Sequence, residues 1–286
     1  MINFDTAQQK FINFLKKNDR STSTVTAYSK DIEQLIKHLT VNQNVLDIKN
    51  VTTENLINYT GDLKIEGLTN KTISRKINST KSFFKFLTNK NLLKFNPADN
   101  VQHPKFVNKP PRILTKIEYK ALRDVVKTNI RTRAMVEVLL QTGIRISELV
   151  EITIPDIIFT PTNLLLVKGI HGERTIPLND TCVSAIRDYL EIRPKVKGDY
   201  FLVSKSGKKL LIRNVRATLD KALSEIDLQS VKVNDLRHTF IAYQLQMGSP
   251  IEVVSEIAGH KRLSTTEKYL QYITPNQKQD ISIKEL

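Results

Sequence analysis

Apolar residues recur at three- and four-residue steps through the first third of the chain and predict four helices over residues 1–95. The first covers about 4–16, with Phe4, Phe11, Ile12, Phe14 and Leu15 on its apolar side. The second opens at the Ser/Thr cluster 21–24, whose oxygens can cap orphan amides, and carries Val25, Tyr28, Ile32, Leu35, Ile36 and Leu39. A third starts at Thr52/Thr53, carries Leu56, Tyr59 and Leu63, and stops at Gly67. The fourth runs over about 70–89 and buries Ile73, Ile77, Phe84 and Leu87. Residues 96–114 then read as a linker, because Pro97, Pro104, Pro110 and Pro111 interrupt any helix and no glycine loosens the segment. A second domain is expected over 115–286. Thr115 and Glu118 form a capping-box pattern ahead of Tyr119, Leu122 and Val125/Val126, and a further helix over about 131–142 ends at Gly143. Ile154–Phe159, Leu164–Val167 and Arg174–Leu178 have strand character, with Gly169 and Gly172 in the turn between the last two. Helices follow at about 179–192, 212–226, 235–247, 250–257 and 264–273, and a polar tail closes the chain. The pattern gives a mainly α protein with a small β-sheet in the second domain.

Charge narrows the partner. The 286 residues carry 44 Lys+Arg against 29 Asp+Glu, a net +15. The excess falls on both halves: 17 basic and 9 acidic residues over 1–110, leaving 27 and 20 beyond. A long polyanion touching both is the natural partner, the alternative being a merely basic soluble protein. Lys71, Arg75, Lys76, Lys81, Lys85, Lys90 and Lys94 follow one another with no acid between them. A solvated helix face normally mixes signs, so Arg75, Lys76, Lys81 and Lys85 are candidate phosphate contacts, the alternative being an ordinary solvated face. Cys182 is the lone cysteine, which excludes an intramolecular disulfide. No 18-residue apolar run or signal-peptide core is present, so no membrane role and a cytoplasmic location are expected. There is no Gly-x-x-x-x-Gly-Lys-(Ser/Thr) loop and no clustered Asp/Glu set, so neither a nucleotide cofactor nor a bound metal is expected.

The chemistry lies in four short strings. Gln141-Thr-Gly143-Ile-Arg145-Ile-Ser147-Glu148-Leu149 comes first. The hairpin Leu165-Leu166-Val167-Lys168-Gly169 to Glu173-Arg174-Thr-Ile-Pro177-Leu178 follows. Then come Asn234-Asp-Leu-Arg237-His238-Thr-Phe240 and Ala258-Gly259-His260, with Tyr269 nine residues after His260. Taken singly, each has an ordinary explanation. Arg145 can pair with Glu148 at i,i+3, Tyr269 and Tyr272 can be core tyrosines, and Asn234 is a good helix N-cap. Together and in this order they resemble the tyrosine recombinase (phage integrase) family. That family runs Thr-Gly-(Leu/Ile)-Arg-x-Ser-Glu-Leu, a hairpin lysine before Glu-Arg-x-(Val/Ile)-Pro-Leu, His-x-x-Arg-His, Leu-Gly-His and a tyrosine. Asn234 stands where the family has histidine, and the hairpin turn is one residue longer than the usual Xer-type pattern.

The resemblance implies a fold: an N-terminal four-helix SAM-like core-binding domain, signalled by Ser-Thr-x-Thr-Ala-Tyr28-x-x-Asp31-Ile32, and a tyrosine-recombinase catalytic domain. It also implies roles. Tyr269 attacks the scissile phosphate and forms a 3′-phosphotyrosyl link without ATP. Arg145, Arg237 and His260 stabilise the developing charge, Lys168 protonates the leaving 5′-oxygen, and Asn234 contributes a substrate contact. His238 is expected to pack or hydrogen-bond. Two domains clamping DNA, four protomers on synapsed sites, a start directly at the core-binding helices, and docking of Ile281, Ile283 and Leu286 on a neighbour are further expectations. An Xer-like enzyme or a mobile-element resolvase fits best. The rivals are a type IB topoisomerase, which relaxes supercoils as a monomer, and a non-catalytic DNA-binding regulator of the same fold.

Overall fold

The computed structural model describes residues 3–107, 109–169, 172–204 and 206–273. The hairpin's extra turn residue and the apolar tail residues discussed above lie outside them. The chain divides into two compact units, Met1–Asn108 and Lys109–Leu286.

The first unit holds α1 (Phe4–Lys17), α2 (Thr22–Lys37), α3 (Thr53–Ile65) and α4 (Asn70–Asn89). Each begins where a side-chain oxygen satisfies an orphan amide: Asn3 for α1, Ser21 for α2, Thr52 for α3 and Thr69 for α4. Phe11 lies at the centre of the apolar packing, 5.4 Å from Phe83 and 5.6 Å from Phe86 between ring centroids. Ala98 and Val101 are buried in the same core, so the beginning of the proline-rich stretch is tied down with these helices.

One expected phosphate contact is corrected here. Lys76 is buried, and its ammonium donates to Asp31 Oδ1 at 3.1 Å and to Gln34. Asp31, itself buried, also accepts a fork from Arg75 and a bond from Ser79 Oγ at 3.0 Å. A buried carboxylate needs such partners, and α4 supplies three of them at its i, i+1 and i+4 positions. Lys76 therefore holds α4 to α2. Arg75 shares that role but keeps 46 % of its side chain exposed. Lys71 and Lys85 are exposed, and Lys81 is half-buried with its ammonium near Asp99 O at 3.2 Å.

The second unit is built around α6 (Ile130–Thr142), which is buried along most of its length. Before it comes α5 (Lys116–Val125), with Thr115 and Glu118 forming the capping box. After it come α7 (Ile146–Leu149), β1 (Ile157–Ile158), β2 (Leu164–Gly169), β3 (Gly172–Pro177), α8 (Asp180–Ile192), α9 (Ile212–Ser224), α10 (Val233–Gln246), α11 (Ile251–Ala258) and α12 (Ser264–Glu267). The sheet is antiparallel in the order β1-β2-β3, with Lys168 opposite Glu173. The first strand is shorter than the alternation predicts. Thr153 and Asp156 cap a 3₁₀ turn over Ile154–Asp156, where Pro155 sits at the helix start, and only Ile157–Ile158 pair.

α6 ends at Gly143, whose φ of +63° suits glycine and whose missing side chain leaves room for the Phe240 ring. The helix expected over 264–273 is broken into α12 and a 3₁₀ turn, Leu270–Tyr272, with Tyr269 at the junction. No described helix is long and apolar enough to cross a membrane.

Candidate active site

The C-terminus of α11 organises the site. The last carbonyls of a helix have no partner within it and carry its negative dipole end. Here three consecutive ones each accept from a different arginine. Arg174 Nε donates to Ile257 O at 2.7 Å, Arg237 Nη2 to Ala258 O at 2.6 Å and Arg145 Nη2 to Gly259 O at 3.0 Å. Gly259 turns the chain with φ +66°, and a Cβ there would stand 2.8 Å from the Arg174 guanidinium carbon. Gly259→Ala is therefore expected to add αL strain of about 1–2 kcal/mol and displace Arg174, lowering both melting temperature and DNA cleavage. Wild-type values of both would show that the arginine cluster tolerates a shift.

Arg145 stands just before α7 and is fixed from below by Glu148. The Arg145 amide donates to Glu148 Oε2 at 2.7 Å, and its Nη1 donates to Oε1 at 3.1 Å. Arg174, on β3, clamps the same carboxylate with Nη1 and Nη2 at 3.0 and 2.9 Å. Burial opposes the charge of Glu148, but the Arg174 hydrogen bonds and the Arg145 amide outweigh it and hold the carboxyl below its usual range. Arg237, on α10, is buried and also donates through Nη1 to Gly143 O at 2.6 Å, so one guanidinium ties the ends of α6 and α11 together. Burial first, and the neighbouring Arg145 second, push it down to about 10, which still leaves it charged at neutral pH.

His260 follows directly after Gly259, and its Nδ1 lies 2.8 Å from the buried hydroxyl of Thr266. Burial, then Arg237 and Arg145, push its pKa down to about 4, so the ring is neutral at pH 7. The Tyr269 ring stacks on it, with centroids 6.5 Å apart and planes at 18°. Tyr269 is 7 % exposed, and burial raises its pKa against the opposing pull of Arg237. Its hydroxyl lies 2.6 Å from His238 Nδ1.

Lys168 reaches from β2 to Asp156 Oδ1 at 2.8 Å, and Thr153 Oγ1 binds the same carboxyl through Oδ2 at 2.6 Å. The Asp156 hydrogen bond keeps the lysine firmly protonated. A cleft of about 800 Å³ brings Lys168, Arg145, Arg174 and His260 to one surface.

Asn234 does not cap α10. Lys232 holds the cap position, where its amide donates to Asp235 Oδ2 at 2.7 Å, and Asn234 lies one turn before His238 with its Nδ2 2.9 Å from the ring Nε2. Sequence reasoning missed Asp156, although the Thr153-x-x-Asp156 spacing is a readable capping pattern. It also missed Arg174 as the partner of Glu148 and Thr266 as the partner of His260, contacts between residues 26 and 6 apart.

Residues 112–274 match the phage integrase family, and residues 9–91 match the phage integrase N-terminal SAM-like domain. The chain is 33 % identical over 276 residues to a tyrosine recombinase XerC of Listeria welshimeri, covering 92 % of this chain and 91 % of that one. It is 27 % identical to a tyrosine recombinase XerD of Halalkalibacterium halodurans, covering 96 % and 95 %. Among solved structures, the Tn1549 transposon integrase in complex with a circular intermediate DNA superposes with a TM-score of 0.75 at 19 % identity, over 92 % of this chain and 94 % of that one. The XerH site-specific recombinase bound to a palindromic substrate gives 0.73 at 17 %, over 93 % and 91 %. These two share the fold. The chain belongs to the phage integrase family and, within it, to the tyrosine recombinases of the Xer type.

Proposed function

We infer that this protein, a site-specific DNA recombinase, cuts and rejoins duplex DNA through a 3′-phosphotyrosyl intermediate on Tyr269. The observation that carries the reading is the Tyr269 phenol beside His260, in a cluster where Arg145 and Arg237 share the end of α11. A phosphoryl group in displacement gains negative charge on its oxygens. Forked guanidinium donors already held by backbone carbonyls stabilise that charge without reorganising. A neutral His260 can donate through its remaining ring nitrogen once Thr266 has set its tautomer. Lys168 is the candidate acid for the leaving 5′-oxygen. Its side chain is 52 % exposed while that of Asp156 is 5 % exposed and also held by Thr153 Oγ1, so the ammonium can turn to DNA without leaving that carboxyl unpartnered. The energy of the broken phosphodiester stays in the tyrosyl ester, so rejoining needs no ATP. Each stabilising donor is expected to lower the barrier by about 3–4 kcal/mol.

The topoisomerase and regulator readings lose to this one, because recombinases match over nine-tenths of both chains. Assembly as a tetramer on two synapsed sites and service to a mobile element are proposed on the resemblance, and residence in the cytoplasm on the lone cysteine, which suits a reducing compartment. The test is covalent capture: protein is incubated with labelled duplex DNA, quenched in detergent and digested to map the adduct. An adduct on Tyr269 supports the reading, and repeated binding without any adduct overturns it.

The basic helix gives a second test. Lys71, Lys81 and Lys85 are proposed to meet DNA phosphates, joined by Arg75 at its exposed edge. Binding is expected to fall with log salt at a slope of about −0.9 per neutralised phosphate. Reversing Lys71, Lys81 and Lys85 to Glu should flatten that slope and weaken binding far more than reversing Lys10, Lys16 and Lys17 on α1. Equal losses would show that α4 does not face DNA.

A further inference from the structure

Tyr269 needs a group to take its proton, because a buried phenol attacks phosphorus poorly while protonated. The arginines cannot do so, and Lys168 is held charged by Asp156. The group in contact with the phenol is His238, with Nδ1 2.6 Å from the hydroxyl and ring centroids 5.8 Å apart. On the far side of that ring, Nε2 is engaged by the Asn234 amide at 2.9 Å. Three side chains therefore form a chain: the nucleophile, an imidazole, and a group that orients the imidazole.

We propose that Asn234, His238 and Tyr269 form a proton relay in which His238 is the general base for strand cleavage and Asn234 is its positioning residue. A half-turn of the Asn234 amide exchanges its donor and acceptor at the same place. With Oδ1 accepting from Nε2–H, the Nδ1 lone pair faces the phenol. The O–H bond of Tyr269 then breaks and its proton passes to Nδ1. The phenolate oxygen bonds to phosphorus while the bond from phosphorus to the 5′-oxygen breaks, and that oxygen takes its proton from Lys168. On rejoining, the 5′-hydroxyl gives its proton back to Lys168 as its oxygen bonds to phosphorus, the bond from phosphorus to Tyr269 breaks, and the imidazolium returns its proton to the leaving phenolate.

The surroundings keep His238 able to accept. Burial lowers its pKa, Asp235 works against that and Arg237 adds to it, while His260 and Tyr269 face it from the C-terminal segment. The ring is thus neutral in resting protein near pH 7. The departure at Asn234 gains a reason: an amide satisfies either tautomer of the ring and adds no charge to a site already holding three arginines.

The inference rests on the recombinase reading and is tested so that the two fail separately. A duplex is first selected from a random pool by covalent capture on wild-type protein, and failure to capture any would remove the recombinase reading itself. On the selected duplex, single-turnover adduct formation is measured with an ordinary 5′-oxygen and with a bridging 5′-sulfur at the scissile bond. Sulfur leaves without an acid. His238→Asn keeps a hydrogen-bonding atom near the place of Nδ1 but cannot take a proton. It is expected to be slower by about a hundredfold or more on both substrates, the usual range for a lost general base, with DNA affinity and melting temperature retained. Lys168→Ala is expected to be slow on oxygen and restored on sulfur. Asn234→Leu should also be slow, and the double variant Asn234→Leu/His238→Asn no slower than His238→Asn alone, as for two groups acting in series. A His238→Asn rate near wild type, a loss erased by sulfur, or additive losses in the double variant would each overturn the relay.

Discussion

Tyr269→Phe is expected to abolish the covalent DNA adduct while DNA affinity stays at the wild-type level. The substitution removes one oxygen and leaves the ring, which stacks on His260 at 6.5 Å and fills a site only 7 % exposed. The oxygen lost is the partner of His238 Nδ1, so folding should cost about 0.5–1.5 kcal/mol, the usual net worth of one hydrogen bond. Tyr272→Phe is the matched control. Tyr272 lies in the 3₁₀ turn just beyond, is 40 % exposed, and should keep full adduct formation. Detergent-quenched gels with labelled duplex separate the two results. Adducts that persist in Tyr269→Phe, or vanish in Tyr272→Phe, would move the nucleophile elsewhere.

The second large effect is expected at Arg237, where chemistry and folding are coupled. Its guanidinium is buried and donates to Gly143 O and Ala258 O, the ends of two helices distant in sequence. Arg237→Ala leaves both carbonyls without their donor, at about 1–3 kcal/mol each where water cannot replace it, and should lower the melting temperature by several degrees. Arg237→Lys keeps one positive charge but not the fork, so it should fold better and still cleave about 10²–10³-fold more slowly. Melting curves and single-turnover adduct rates read the two losses separately. If Arg237→Lys cleaves like wild type, charge alone suffices at this position and the forked geometry is irrelevant.

The structure changes the weight given to the basic residues of α4. By spacing alone, Arg75, Lys76, Lys81 and Lys85 are equivalent. In the fold, Lys76 turns inward to Asp31 and Arg75 gives both arms of its fork to Asp31 while 46 % of its side chain stays exposed, which leaves Lys71, Lys81 and Lys85 as the contacts to test. Asn234 is revised in the same way. A good capping residue near a helix start reads as a cap, but α10 begins one residue earlier and Asp235 closes its end from inside. That frees the Asn234 side chain to meet His238 one turn along, a pairing that i,i+4 geometry allows and that the sequence alone does not select.

What the sequence determined by itself is what depends on neighbours a few residues apart. The apolar stripes of α1 to α4, the caps at Ser21, Thr52 and Thr115, and the stop at Gly143 are all local, because helix periodicity and capping act within one or two turns. The order and spacing of the four strings made the family resemblance legible as well. Tertiary structure decided the contacts that have no local cause. Arg145 meets Gly259 across 114 residues, Arg237 meets Gly143 across 94, and Arg174 meets Ile257 across 83. No spacing rule selects those carbonyls. They are chosen because α11 ends where three arginines converge, and an unpaired helix end and a desolvated guanidinium each lack what the other supplies. The broken helix around Tyr269 has the same origin: its apolar pattern is continuous, and only packing against His260 and His238 sets where the turn tightens.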